Sequence, residues 1–216
     1  MTQLDHLVII ASTLAEGTEF IRSELGVTIA GGGAHARMGT HNHVMQLGND
    51  AYLELIAFNP EAPKPDRPRW FDMDNPLVRH RLATGPALMH WVVNVDDFAQ
   101  LPGFDPHIWG FPFPMQRGQL NWQIAVPEDG RLPGGGLLPT VIQWQSDHPA
   151  AAMDDLNCKL ESLTLFHPQP DWLQGQLDKI DANQITNVPI VIKSAERSHF
   201  SITLNTPLGR RTLASH

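Results

Sequence analysis

The stretch that decides the fold is Leu4-Asp5-His6-Leu7-Val8-Ile9-Ile10, followed after two residues by the segment Thr13–Gly26. The first part is an apolar run of strand length. In the second part, Thr13 and Glu16 have the spacing of a capping box, apolar residues recur at helical intervals, and Gly26 is a typical stop signal. The sequence therefore predicts a strand followed directly by an amphipathic helix.

Three more strands are predicted before residue 60. Each candidate is a short run of apolar and polar residues bounded by glycine or by turn residues. The candidates are Arg37–Thr40, His43–Leu47 and Tyr52–Phe58. Residues 1–60 therefore form a first module of predicted order β-α-β-β-β.

A proline-rich linker at 61–86 separates this module from a second block at 87–150. The second block has three predicted strands, Leu88–Val95, Arg117–Val126 and Leu138–Gln145, with a short helix at 96–101. A third block at 155–216 repeats the order of a strand, a helix and three strands. The predicted class is α+β, built from repeated βαβββ modules.

Composition excludes several classes of function. The 15 Lys and Arg residues against 23 Asp and Glu give a formal charge of −8, whereas nucleic-acid-binding domains present a basic face. No apolar stretch approaches the length of a membrane span, and the start has no signal-peptide pattern. The single cysteine, Cys158, excludes an internal disulfide and a cysteine zinc site. We therefore expect a cytoplasmic protein without nucleic-acid or membrane partners.

Five segments carry a resemblance to a known family: Leu4–Val8, Glu24–Gly26, Gly39–Asn42, Ala51–Ala57 and Gly135–Pro139. In these segments the chain resembles the glyoxalase-like branch of the vicinal oxygen chelate superfamily, which includes glyoxalase, bleomycin-resistance and dioxygenase proteins. The resemblance implies that two βαβββ modules curl into one cup-shaped mixed sheet with helices on the outside. It also implies a small-molecule ligand inside the cup.

The resemblance further implies a metal site and a chemistry. Its ligand positions fall on one residue from the first and last strand of each module: His6, Glu54, His90 and Gln143. Such a set suits Zn²⁺, Ni²⁺ or Fe²⁺, with Glu54 also able to act as a base. The implied activity is that of a lyase, isomerase or dioxygenase on a vicinal dioxygen substrate. The alternative is a protein that binds a small molecule with no cofactor.

Strand alternation supports the same four positions independently. Because side chains alternate between the faces of a strand, His90 and Gln143 lie opposite Trp91 and Trp144 within their own strands. The simplest arrangement packs Trp91, Trp122 and Trp144 into the core and turns the polar faces into the cup. Amides there can bind a ligand, so we expect Asn94, Gln123 and Gln145 to be substrate-binding residues.

A glycine- and histidine-rich stretch, Gly31–His43, lies in the first module. Its functional interpretation is a catalytic His35 and a substrate-binding His41 at the mouth of the cup. The alternative is an ordinary polar strand and loop. Two questions stay open at this point: whether 87–150 or 155–216 completes the cup, and whether the protein forms a homodimer.

Overall fold

In a computed structural model, residues 1–215 form an eight-stranded curled sheet and a separate four-stranded sheet. The strands are β1 Thr2–Ala11, β2 Ala30–His35, β3 Thr40–Gln46, β4 Tyr52–Phe58, β5 Ala87–Val95, β6 Pro112–Arg117, β7 Leu120–Ala125, β8 Thr140–Trp144, β9 Lys159–His167, β10 Ile190–Ser194, β11 His199–Thr206 and β12 Gly209–Ala214. The helices are α1 Leu14–Leu25, α2 Pro76–Leu82, α3 Pro106–Trp109 and α4 Pro170–Asp178. None of the helices in this range is long and apolar enough to cross a membrane.

The large sheet consists of two equivalent halves. Its strand order is β2-β3-β4-β1-β5-β8-β7-β6, so each half runs outward from its first strand. β1 is parallel to β4, β5 is parallel to β8, and β1 and β5 pair antiparallel at the centre. The α+β class and the cup of paired modules are confirmed, and the strands of 87–144 complete the sheet.

Helix α1 forms as its sequence predicts. The Thr13 hydroxyl accepts the backbone N–H of Glu16 at 3.2 Å, and Gly26 ends the helix in the left-handed region at φ 77°. A Cβ on Gly17 would lie 2.2 Å from Cδ1 of Leu55, so the helix backbone packs directly on β4. The helix therefore covers the outer face of the first module.

Two predictions about the edge strands are wrong. Strand β2 contains the three consecutive glycines, whereas a single 3₁₀ turn at Ala36–Met38 overlaps the first half of the predicted strand Arg37–Thr40. In the second module, β6 was not predicted because it contains Pro112 and Pro114. Proline is tolerated in an edge strand, where one row of N–H groups needs no partner. The predicted helix at 96–101 is also only one 3₁₀ turn.

The prediction that three tryptophans share the core face is wrong. Trp122 pairs with Trp144 across β7 and β8, and Val92 of β5 pairs with Thr140 of β8. This register places Trp122 and Trp144 on the concave face, and Trp91 on the outer face with its indole N–H bonded to the Leu137 carbonyl. Alternation was read correctly within each strand, but the register between strands was not.

The C-terminal block has the predicted element order with a different pairing. Its sheet order is β10-β9-β11-β12, so its first strand lies inside the sheet rather than beside its last strand. Leu163, Leu165 and Ile202 belong to the same apolar cluster as Ile9 and Leu55 of the large sheet. The block therefore packs on the outer face of the first sheet and contributes no strand to the cup.

Candidate active site

The concave face of the large sheet encloses a cavity of about 30 Å³, which is room for a water molecule but not for an organic ligand. Polar residues of the first module line one side, and aromatic and aliphatic residues of the second module line the other. The lining residues are His6, His35, Asn42, Tyr52, Glu54, Trp70, Phe71, Arg117, Trp122, Ile124, Ile142 and Trp144.

Glu54 lies at the centre of this cavity on β4, and its side chain is only 8% exposed. Its Oε1 accepts a hydrogen bond from the Asn42 amide on β3 at 2.6 Å, and its Oε2 lies 3.5 Å from Nε2 of His6. The orientation of the Asn42 amide is set because its oxygen accepts from the Gly33 N–H and from Arg117. Glu54 is therefore a buried carboxylate that is held by one oxygen and faces the cavity with the other.

His6 lies between two carboxylates. Its Nδ1 is 2.5 Å from Oδ1 of Asp5, and its Nε2 faces Glu54, so both ring nitrogens are within reach of an acceptor. The phenol ring of Tyr52 stacks on the imidazole at 4.6 Å between centroids. The prediction that His6 and Glu54 lie on neighbouring strands with side chains on one face is confirmed.

Asp5 is fully buried and serves as the anchor of the site. A β-bulge in β1 between Leu4 and His6 allows the adjacent Asp5 and His6 side chains to meet. Asp5 also accepts hydrogen bonds from Trp144, His148 and Asn94. Burial alone would raise the pKa of Asp5, but the bonds to His148 and His6 outweigh it and lower the pKa far below its usual range. Asp5 is therefore a permanent buried anion.

His35 completes the polar side of the cavity. Its side chain is buried, and this burial is the main reason why its pKa falls to about 4. His35 is therefore neutral at pH 7. Arg117 can only donate, so the 3.3 Å contact with its NH1 makes Nε2 of His35 an acceptor and leaves the ring proton on Nδ1, facing the Thr40 hydroxyl. Nε2 also lies 4.0 Å from Oε1 of Glu54.

The four predicted metal ligands do not converge. His90 is on the concave face, but its Nε2 accepts the backbone N–H of Thr140 at 3.1 Å, and burial lowers its pKa to about 3. Gln143 is on the outer face, where its oxygen accepts the N–H of Phe98. Within residues 1–215, no three His, Cys, Asp or Glu side chains are grouped to hold a metal ion. This donor set therefore does not fit a divalent cation.

The predicted substrate-binding residues lie outside the cavity. Asn94 is at the rim and donates to Asp5, whereas Gln123 is paired with Gln143 on the outer face. Gln145 is exposed at the end of the sheet. His41 lies on the outer face, in a separate groove beside the three glycines of β2. The cause is again the register, because the polar faces of β7 and β8 turn outward.

The linker closes the cup. Trp70 and Phe71 are both buried, Trp70 against the edge of the His35 ring and Phe71 against His90. Phe71 and Asp72 both have left-handed backbone angles near φ 58°, which is strained for residues other than glycine. Hydrogen bonds between Asp72 and the loop at 130–132 hold this turn. The Trp70–Phe71 segment therefore forms part of the cavity wall.

Sequence reasoning missed several residues of the site. Asp5 carried a usable signal, because a carboxylate inside an apolar strand needs a buried partner. Asn42 was overlooked because His41 and His43 on the opposite strand face attracted the functional interpretation. Trp70, Phe71 and Arg117 gave no local signal, since a linker and a strand end become cavity walls only through the tertiary fold.

Comparison with known proteins supports the fold. The sequence matches the profile of the Glyoxalase-like domain family over residues 4–180. No curated protein is significantly similar to the chain. A hypothetical protein from Staphylococcus aureus is similar in structure, with a TM-score of 0.56 and 13% identity over 92% of this chain and 88% of that chain. Methylmalonyl-CoA epimerase from Mycobacterium tuberculosis has a TM-score of 0.41 and 17% identity over 69% of this chain and 91% of that chain.

The profile match spans both modules of the cup and continues through α4 of the C-terminal block. The resemblance that the sequence shows to glyoxalase-like proteins is thereby confirmed. The chain belongs to the Glyoxalase-like domain family.

Proposed function

We propose that this protein is an enzyme that moves a proton on a small carbonyl compound bound inside the cup, with Glu54 as the base. The observation that carries the proposal is the position of Glu54. It is buried, it is held at Oε1 by Asn42, and its Oε2 faces both the cavity and His6. A positioned carboxylate in a site that excludes water is the usual arrangement for general base catalysis.

The chemical step is an enolisation. Oε2 of Glu54 takes the proton from a carbon next to the carbonyl group, and the electron pair of that C–H bond moves into the carbonyl to give an enolate. Glu54 becomes a carboxylic acid, and return of its proton to the same or a different carbon completes an isomerisation or epimerisation. No oxidant or other reactant is consumed.

His6 is the group that shares the proton with Glu54. Its Nδ1–H is directed at Asp5, so its Nε2 can accept the proton that Glu54 has taken and hold it until it returns. The anionic Asp5 holds the other ring nitrogen of His6 in place during that time. Asp5 does not need to change protonation state in this scheme.

The second module shapes the site and excludes water from it. Trp122, Trp144, Ile124 and Ile142 form an apolar wall, and Trp70 and Phe71 close the mouth. Apolar walls strengthen the electrostatic interactions of Glu54 and His6 by excluding water. The cavity of about 30 Å³ must widen to take an organic ligand, and the Trp70–Phe71 segment is the part of its wall that belongs to neither module.

The test is exchange of substrate protons with solvent. Small ketones, aldehydes and oxo acids are incubated with the protein in deuterated water, and loss of the C–H signal is followed by proton NMR. We expect the wild type to accelerate exchange for at least one class, and Glu54→Gln to lower that rate by about 10²–10⁴-fold while keeping the shape of the side chain. His41→Gln, on the outer face, is the matched control and should exchange as the wild type does.

Two outcomes would contradict the proposal. The first is wild-type protein that accelerates no exchange in any class. The second is exchange that survives in Glu54→Gln. Binding of a panel compound without exchange would instead favour a protein that sequesters a small molecule, for which the aromatic wall alone is sufficient.

A further inference from the structure

Arg117 extends from the second module into the polar side of the cup. It lies at the end of β6, at one edge of the curled sheet, and its side chain crosses to residues of β2 and β3 at the other edge. One terminal nitrogen, NH1, donates to Oδ1 of Asn42 at 2.8 Å and contacts Nε2 of His35 at 3.3 Å. Through Asn42, the guanidinium is linked to Glu54.

The rest of this guanidinium is free to bind a ligand. An arginine side chain has five N–H donors, and in residues 1–215 only NH1 of Arg117 makes hydrogen bonds. The other two nitrogens make no hydrogen bond with residues 1–215 and are not fully buried, and the residue as a whole is half-buried. The free edge of the guanidinium has the fork geometry that matches the two oxygens of a carboxylate.

The charge of Arg117 is not neutralised by a direct ion pair within the described part of the chain. Five other arginines lie within 4 Å of a carboxylate oxygen, and five more, like Arg117, have no such contact among the described residues. Arg117 instead contacts a neutral amide and a neutral imidazole. Among the described residues it is also the only lysine or arginine that lines the cavity.

A glycine makes room for this side chain. A Cβ on Gly33 would lie 3.1 Å from Cδ of Arg117, which is closer than side chains normally approach. Gly33, the last of the three consecutive glycines, therefore leaves room for the Arg117 side chain at this edge of the sheet. The neighbouring Arg37 points away from the cavity and donates to the Pro114 carbonyl.

We infer that the ligand of the cup carries a carboxylate group, and that Arg117 binds it through the free edge of its guanidinium. This inference rests on the proposed function and narrows its substrate class to small organic acids that also contain a carbonyl group. The link from Arg117 through Asn42 to Glu54 places the bound carboxylate beside the base. Arg117 is thus the residue that selects the substrate.

The test is ligand binding measured by NMR titration of the protein, with propanoate, 2-oxopropanoate, propanamide and inorganic phosphate as probes. We expect the two carboxylates to bind and the neutral amide to bind at least about tenfold more weakly. Arg117→Gln should weaken carboxylate binding by at least about tenfold, because a charge-assisted pair is lost. Arg117→Lys keeps the charge without the fork and should be intermediate, whereas Arg37→Gln is the matched control and should bind as the wild type does.

Three results would overturn the inference: no carboxylate binds to the wild type at millimolar concentration, the amide binds equally well, or neither Arg117 variant loses affinity. Binding of phosphate in preference to both carboxylates would also overturn it, because the ligand group would then be a phosphate. Thermal unfolding of each variant shows whether it is folded, and Arg117→Lys keeps the test valid should Arg117→Gln fail to fold.

The failure of this inference can be distinguished from failure of the proposed function. Carboxylate binding that depends on Arg117, without any proton exchange, would support the ligand class and contradict the enzyme. Proton exchange that depends on Glu54 but occurs only with neutral ketones would support the enzyme and contradict the carboxylate ligand class. Titration of Glu54→Gln with the same carboxylates separates the two, since this variant should still bind them.

Discussion

The two halves of the curled sheet have the same strand order and different roles. β1 and β4 of the first module correspond to β5 and β8 of the second, and the pairs lie symmetrically about the centre. Yet the concave face of the first module contains His6, Asn42 and Glu54, whereas the equivalent strands of the second contain Trp122, Ile124, Ile142 and Trp144. A repeated backbone therefore does not imply a repeated site, because the side chains on the concave face differ in each half.

Because of this asymmetry, the polar groups and the apolar packing lie in different halves of the sheet. In the first module, hydrogen bonds join Asp5 to His6 and Asn42 to Glu54, and a 3.5 Å contact between His6 and Glu54 connects the two pairs. In the second, the indole rings of Trp122 and Trp144 pack against each other at a 46° tilt and fill part of the cup with apolar volume. Substitutions of these polar residues should mainly change activity, and substitutions of Trp122 and Trp144 should mainly change stability.

The largest expected effect on stability is that of Trp122→Ala. The side chain is buried against Trp144, so its removal should lower the free energy of unfolding by about 3–5 kcal/mol. Trp172→Ala on α4 is the matched control, because that side chain is 45% exposed, and it should cost about 0.5 kcal/mol. Urea denaturation measures both. Equal losses in the two variants would show that the cup wall is not part of the core.

The next effect compares one buried histidine from each module by its pH dependence. The pKa values of His35 and His90 are about 4 and 3, against 6.5 for an unburied histidine. Below pH 6.5 the unfolded chain therefore binds protons that the folded chain does not. The free energy of unfolding should fall by about 1.4 kcal/mol per pH unit for each histidine, down to pH 4 for His35 and pH 3 for His90.

His35→Gln and His90→Gln should each reduce the pH dependence of the unfolding free energy by the contribution of one histidine between pH 6.5 and pH 5. Urea denaturation across that range measures it. The comparison uses the slope, so a constant loss of stability in a variant does not affect it. A variant that keeps the wild-type slope would show that its histidine is protonated in the folded state. Such a result for His35 would also reverse the proton assignment on its ring.

The smallest expected effect is that of Gln143→Glu. The sequence placed Gln143 in the metal set, in which case a carboxylate would raise metal affinity. On the outer face, the new carboxylate can still accept the N–H of Phe98, so stability should change by no more than about 0.5 kcal/mol. Calorimetric titration with Zn²⁺, Ni²⁺ and Fe²⁺ should show no gain over the wild type. A clear gain in metal affinity would show that the side chain at position 143 faces the cup.

Local sequence signals predicted part of the candidate site. The family resemblance together with alternation within β1 and β4 placed His6 and Glu54 on one face, as the structure has them. The same reasoning failed in β7 and β8. Those short strands have a tryptophan on one face and an amide on the other, and either face can turn toward the cup until the pairing with β5 is known.

The sequence by itself determined the α+β class, helix α1 with its caps, the order of elements in each block and the position of Glu54. These features depend on hydrogen bonds and apolar periodicity within a few residues. Only the tertiary structure decided that β9 pairs inside its own sheet, that Trp122 and Trp144 face inward, and that Arg117 and the Trp70–Phe71 segment reach the site. Strand pairing and cavity walls depend on contacts between residues far apart in the chain, and no local pattern encodes which of several compatible registers buries the most apolar surface.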